Sequence, residues 1–408
     1  MNSFLPMPKS SWFAFRPADR KLPSLIAALT MDPQGHAEPV STSRFLEGWG
    51  CVLLTFVTSR LLIVGIILLS RTIVVPGQFS HPGGLLSILT HWDGGWYLRI
   101  AQEGYSYKPG VPSSIGFFPF YPMLIRLFSV IFVNASIAAV VISNVCLLAA
   151  GFVLNALVRI DYRERAISCA AVTLLMFSPV SFFFSSAYSE STFLLLSIGA
   201  LFAARRGNWL AACLCGGALA ATRNIGVLIA IPLLFEFVRQ GWKPGAGLKP
   251  FFTRRILLFG LIPLGLLLFL LFNWFKFGDP FAYVKATAVW GRRFVLPSQT
   301  LATARNYPEF YVWLFGGTLA IAVIGWIGGF FLKLRASYLI WAGLLLAVYL
   351  CGNSLEAIPR YLSVLFPLFI ILGIVAVRFP WSYELIFASS TVLLTICTLL
   401  SANGYWMT

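Results

Sequence analysis

From residue 50 onward the chain is a succession of apolar runs divided by short polar breaks. Runs of about 20 apolar residues are long enough to span a bilayer as helices. The first covers 50–70 and is followed by a polar loop, 71–116. Two prolines in Phe117-Phe118-Pro119-Phe120-Tyr121-Pro122 predict a helix break, so 123–133 reads as a re-entrant or half helix. Further spans are predicted at 137–158, 166–184, 192–204, 209–222, 225–238 and 256–274. After a second polar loop, 275–309, come 310–332, 337–352, 361–377 and 385–401. Counted this way the chain has about 11 spans with its N-terminus inside. The expected fold is an all-α polytopic membrane protein, with a loose cytoplasmic leader over 1–45 and a single transmembrane domain over 46–408.

One stretch departs from the apolar pattern. His91-Trp92-Asp93-Gly94-Gly95-Trp96-Tyr97-Leu98-Arg99-Ile100 is the most polar and aromatic passage outside the spans. Read as a helix, it places Trp92, Trp96 and Ile100 on one stripe, with Asp93 along its edge. Such a helix lies flat at the membrane interface, its indoles at headgroup depth. Asp93 either caps this helix or is used chemically, because a carboxylate at that depth is costly unless solvated or employed.

Composition agrees with the membrane reading. Of 408 residues, 59% are hydrophobic and 11% charged, where soluble domains carry roughly 25% charged residues. The net charge of +16 would point to nucleic acid in a soluble protein. Here the basic residues sit mostly in short loops between apolar runs, which is the orientation signal of membrane proteins, and anionic lipid is the expected partner. The seven cysteines all lie in apolar runs and read as small core residues, with no disulfide framework. Three scattered histidines make no metal site, and no cofactor motif is present. The loop 275–309 is unusual for an outer loop: it carries Lys276, Lys285, Arg292, Arg293 and Arg305 against Asp279 and Glu309.

This topology brings Asp93, Tyr188 with Glu190, Arg223, and Glu356 with Arg360-Tyr361 to the outer face, each near the end of an apolar run. Ionisable groups there are functional or paired with one another; Arg223–Glu190 and Glu356–Arg360 are the two candidate structural pairs. One carboxylate, several cations and an apolar groove suit transfer of a group from a lipid phosphate. The carboxylate takes the acceptor proton, and arginine or lysine neutralises the departing phosphate.

Six blocks then carry a resemblance. His91-Trp92-Asp93-Gly94-Gly95-Trp96-Tyr97 with Ile100-Ala101 and Gly104-Tyr105, Phe117–Pro122, Ser186-Ala187-Tyr188-Ser189-Glu190-Ser191, Ala221-Thr222-Arg223-Asn224, Gly278-Asp279-Pro280 with Trp290, and Pro359-Arg360-Tyr361 keep the order of blocks in PIG-V-like mannosyltransferases. Together they cover roughly 50–375 and the chain resembles that family. The resemblance implies a GT-C glycosyltransferase fold, with interfacial helices in the first outer loop. It also implies inverting transfer from a polyprenyl-phosphate sugar to a hydroxyl on a glycan, glycolipid or protein, without a cofactor or metal. It assigns Asp93 as the general base. It gives Glu190 as a second acid or acceptor-orienting group, and Arg223 and Arg360 as ligands of the donor phosphate, with Lys285, Arg292 and Arg293 in support. Tyr188, Tyr361 and Trp92 complete the expected substrate-binding set. His91 stands where the family often has Arg; it either bonds a sugar or holds Asp93.

The expected location is a bacterial inner membrane, with the site on the outer face formed by loops 71–116 and 275–309. Two other readings stay open: a flippase or transporter of lipid-linked saccharide, and an inactive scaffold of a glycan-assembly complex.

Overall fold

In lipid, every backbone N–H and C=O must be satisfied within its own segment, so the apolar runs become helices. The computed structural model describes residues 48–77, 79–80, 83–241 and 253–407. Among these residues the regular structure is helical, apart from one isolated antiparallel bridge between Phe294 and Gly352. The expected leader over 1–45 lies outside the described residues.

In chain order the helices are α1 (Trp49–Ile73), α2 (Leu85–Leu89), α3 (Asp93–Glu103), α4 (Phe120–Phe132), α5 (Ala135–Asp161), α6 (Arg165–Met176), α7 (Glu190–Arg205), α8 (Trp209–Thr222), α9 (Ala230–Gly241), α10 (Leu261–Phe277), α11 (Ala282–Val289), α12 (Pro297–Ala302), α13 (Glu309–Phe331), α14 (Ala336–Leu350), α15 (Ile358–Ser363), α16 (Phe366–Arg378) and α17 (Pro380–Ala402). Among the described residues six helical stretches are long and apolar enough to cross a membrane: α1, α5, α10 and α9 with the 3-10 turns preceding them, α13 and α17. Five shorter apolar helices accompany them, α4, α6, α8, α14 and α16. The chain is an integral membrane protein. On α1, Leu54, Leu61 and Leu68 recur every seven residues and stay exposed, while Val52, Ile63 and Ile67 are buried. The exposed stripe is the side that lipid covers.

Several runs that read as single spans are interrupted. The run 166–184 stops as a helix at Met176, because Pro179 lacks the N–H that the next turn needs. It continues as a short 3-10 turn over Ser181–Phe184. Residues 224–229 form another 3-10 turn before α9. The run at 361–377 is two helices, α15 and α16, separated at Val364 and Leu365. The prolines at 119 and 122 do the opposite of what the sequence reading expects. Pro119 caps α4 and Pro122 lies in its first turn, where the missing N–H has no intrahelical acceptor to lose. They begin a helix rather than break one. At 13 residues α4 is about 20 Å long, short of the roughly 30 Å hydrocarbon core.

Helix α5 packs against both α6 and α7, α7 packs against α8, α10 lies against α8, and α16 lies against α6. Between α8 and α10 the backbones touch. A Cβ added at Gly265 would lie 2.0 Å from the Gly217 carbonyl oxygen, the close approach that small residues permit between membrane helices.

At the C-terminal end of α7 a buried ionic network ties four helices. Arg205 pairs with Asp161, whose other oxygen accepts from Tyr338 Oη at 2.8 Å. Arg335 donates from Nε and a terminal nitrogen to Glu236 at 2.5 and 2.8 Å, and Ser337 Oγ donates to the same carboxylate at 2.7 Å. The basic breaks of the sequence, around Arg159, Arg205, Arg239 and Arg335, lie near this end. Removing one partner leaves an uncompensated buried charge. Glu236→Ala is therefore expected to lower the unfolding free energy by about 3–5 kcal/mol, read as an earlier transition on denaturant unfolding in detergent micelles.

Candidate active site

The polar centre forms at the opposite end of α7, about 24 Å away along a helix of 16 residues. It collects the ends of interrupted helices. Glu190 opens α7, Arg223 follows the end of α8 in extended conformation, Arg360 and Tyr361 lie on the short α15, and Asp93 opens α3.

Glu190 is the hub. It is 2% exposed, and its Oε1 lies 3.2 Å from Arg223 and 3.2 Å from Arg360 Nε. Arg360, equally buried, donates to Asp93 Oδ2 at 2.7 Å. Asp93 keeps 34% of its side chain exposed. The chain Arg223–Glu190–Arg360–Asp93 thus links a partly exposed arginine, through two buried charges, to an open carboxylate. Burial works against the charge on Arg223 and Arg360, but Glu190, and for Arg360 first Asp93, outweigh it and hold both guanidinium groups firmly protonated.

Aromatic rings wall the cations. The Tyr361 ring lies 4.9 Å from Arg223, 5.0 Å from Arg360 and 6.0 Å from Arg292. Tyr349 stacks on it at 5.0 Å and 15°. Burial would raise the Tyr361 hydroxyl pKa, yet Arg292, Arg360 and Arg223 together bring it below the ordinary phenol value. Tyr188 lies 5.2 Å under Arg360, and its hydroxyl donates to the His91 carbonyl at 3.3 Å.

Helix α3 is pressed onto this centre. The Ala187 N–H donates to the Leu89 carbonyl at 2.7 Å, and Tyr97 Oη bonds Ser189 Oγ at 3.0 Å. A Cβ at Gly94 would meet Ala187 Cβ at 3.3 Å, so a glycine here lets the helix come this close.

The structure revises three expectations. The buried face of α3 is Gly94, Tyr97, Ile100 and Ala101, not a stripe of Trp92, Trp96 and Ile100. Trp92 precedes the helix with φ 57° and ψ −121°, which turns its indole out of helical register. Arg360 pairs with Asp93 and Glu190 rather than with Glu356. Lys285 pairs within its own loop with Asp279 at 2.6 Å, and the bond to its ammonium holds the Asp279 carboxyl below the ordinary range. Arg293 reaches Asn353 through its backbone N–H, and its side chain is exposed. Arg292 is the loop cation that comes to the cluster. The His91 ring packs edge-on against Trp92 at 4.7 Å. Among the described residues, no three His, Cys, Asp or Glu side chains stand together where they could hold a metal ion.

The sequence reading passed over Arg60, which lies inside the first span. It is buried and points at the interruption after α6. Its terminal nitrogens donate to the carbonyls of Met176 and Ser181 at 2.9 and 3.0 Å, and to Ser181 Oγ and Ser185 Oγ at 2.5 and 2.9 Å. A lone arginine in an apolar run marks such a place. It satisfies the carbonyls that the break leaves without partners and fixes the segment leading to Tyr188 and Glu190.

Residues 63–240 match the family described as Mannosyltransferase (PIG-V). That match covers a little under half of the chain. The stretch matched contains Asp93, Glu190 and Arg223; Arg292, Arg360 and Tyr361 lie beyond it. The chain is 31% identical over 166 residues to GPI mannosyltransferase pigv-1 of Caenorhabditis elegans, covering 34% of this chain and 24% of that one. It is 28% identical over 237 residues to GPI alpha-1,6-mannosyltransferase 2 of Homo sapiens, covering 55% and 44%. The matched part thus spans less than half the length of these curated relatives. In three dimensions the chain is similar to the crystal structure of ArnT from Cupriavidus metallidurans bound to undecaprenyl phosphate, with a TM-score of 0.54 and 14% identity. That likeness covers 86% of this chain and 64% of ArnT, and it shows a GT-C fold.

The shared carboxylate gives a direct test. Glu190→Gln leaves Arg223 and Arg360 facing each other without the anion between them. The expected loss is about 3 kcal/mol of stability, measured by thermal unfolding in detergent; an unchanged transition would show that other groups hold the two arginines.

Proposed function

We propose that this chain is an integral-membrane glycosyltransferase that moves a sugar, most simply mannose, from a polyprenyl-phosphate donor to a hydroxyl acceptor with inversion. The observation that carries the reading is the half-open carboxylate of Asp93, held at 2.7 Å by the buried Arg360, with Arg223 and the exposed Arg292 beside it around the Tyr361 ring. The match to the PIG-V family and the fold shared with ArnT support it.

The chemistry follows from the arrangement. A donor phosphate approaching Arg223, Arg292 and Arg360 competes with Asp93 for the Arg360 guanidinium. Its arrival frees the carboxylate to accept the proton of the acceptor hydroxyl. The acceptor oxygen attacks the anomeric carbon on the side opposite the phosphate. The bond from that carbon to the phosphate oxygen breaks, and the electron pair leaves with the polyprenyl phosphate, whose charge the arginines neutralise. One displacement inverts the anomeric centre. In this reading Glu190 holds the two phosphate-binding arginines in position, Tyr361 and Tyr188 wall them, and His91 and Trp92 seat Asp93. Arg293 and Lys285 are exposed on the same loop, outside the cluster. The basic ends of the helices lie away from the site, and under the positive-inside rule this supports a site on the outer face.

The test is to incubate purified protein with a panel of polyprenyl-phosphate sugars and an acceptor, and to measure release of lipid phosphate. Movement of intact lipid-linked sugar across a vesicle, without that release, would establish a transporter instead. Asp93→Asn is expected to lower turnover by about 10²- to 10⁴-fold, the range of general-base contributions, while donor binding persists. Turnover retained in that variant would overturn the assignment.

A further inference from the structure

Trp92, the residue immediately before Asp93, has a backbone that side-chain-bearing residues seldom adopt, with φ 57° and ψ −121°. Such a conformation persists only where its surroundings over-determine it. Much of what surrounds it comes from the other end of the described chain. Trp406 meets the Trp92 ring edge-on at 4.5 Å and 85°. Phe79 closes on Trp92 at 5.1 Å and on Trp406 at 6.2 Å. The segment after α17 is anchored by backbone bonds. The Gly77 N–H donates to the Asn403 carbonyl at 2.7 Å, and the Phe79 N–H to the Gly404 carbonyl at 3.4 Å. Gly404, at φ 78°, admits the loop: a Cβ there would lie 2.2 Å from the Ser80 nitrogen. Between this segment and His91-Trp92 a cavity of only about 20 Å³ remains, so the indole of Trp92 has little room to move.

We propose that Trp406 is a positioning residue for the transfer reaction: seated on Trp92, it holds the strained backbone before α3 and thereby fixes the Asp93 carboxylate at Arg360. This rests on the reading of Asp93 as the general base. Trp406 neither contacts Asp93 nor belongs to the cation cluster, so its loss misplaces the base without removing a phosphate ligand.

The experiment compares kcat and donor KM for the wild type, Trp406→Ala, Trp406→Phe and Gly404→Ala, using the polyprenyl-phosphate sugar that the wild type turns over. Trp406→Ala is expected to lower kcat tenfold to a hundredfold, the scale of a misplaced reacting group, with donor KM changed less than about twofold. Trp406→Phe, which keeps an aromatic edge for Trp92, restores most of kcat. Gly404→Ala lifts the segment by a different route, leaves every ring in place, and reproduces the loss; it also decides the matter if Trp406→Ala does not fold. A wild-type kcat in either well-folded variant overturns the inference, even if its melting temperature falls. A wild type that releases no lipid phosphate from any donor overturns the glycosyltransferase reading itself.

Discussion

A single buried carboxylate oxygen, Glu190 Oε1, is shared by two arginines from distant parts of the chain. Charges withdrawn from water are costly and are retained only where attraction and hydrogen bonding repay the desolvation. Here the repayment needs three elements in register: the first turn of α7, the extended residue after α8, and the short α15. Arg360 then passes the constraint to α3 through Asp93. Displacing any of these elements would leave a charge unpaired in a low dielectric, so the cluster fixes the relative placement of helices that the hydrophobic surfaces alone would leave free to slide.

Lipid makes such a centre difficult to build, because a backbone turned out of helix loses its hydrogen bonds where no water replaces them. The chain meets this locally. Where Pro179 ends α6, Arg60 reaches from α1 to the freed carbonyls. Tyr121 Oη donates to the Ala139 carbonyl at 3.1 Å, and Asn134 caps α5 by accepting from Ser136 and Ile137. The interruptions that the site requires are thus supported by side chains from neighbouring helices, and the polar residues at 185–190 inherit a fixed position from that support.

This explains what could be read from the sequence. Apolar runs near 20 residues give helices, because lipid leaves them no alternative, and ionisable residues at the ends of those runs are conspicuous. Asp93, Glu190, Arg223 and Arg360 were visible for that reason, and the structure brings them together. Partner choice was not visible. Arg360 has Glu356 four positions away, yet its bonds go to Asp93 and Glu190, because α15 starts only at Ile358, after Ala357 turns the chain with φ 61°. The stripe expected on α3 failed for a similar reason: it assumed that helix geometry began at Trp92, one residue before it does. Arg60 was overlooked because a single cation barely alters the hydropathy of a long run. The contact of Trp406 with Trp92 joins residues 314 positions apart, a separation over which periodicity carries no information.

The two ionic centres at the ends of α7 differ in a way that separates structure from chemistry. At one end Arg205 and Arg335 pair with Asp161 and Glu236, with Arg239 close by. Tyr338, Ser337 and Gln240 add hydrogen bonds to the carboxylates, and Glu236 is wholly buried. At the other end Arg223 and Arg360 pair with Asp93 and Glu190, and Arg292 lies over the Tyr361 ring. Glu190 Oε2 and Arg360 Nε lack hydrogen-bond partners among the described residues, and Asp93 and Arg292 reach the surface. A network that serves only to join helices gains nothing from an open carboxylate, since a carboxylate without its full set of partners costs stability. A centre that admits an anion and a hydroxyl needs one. The contrast lies in exposure, with the same residue types at each end.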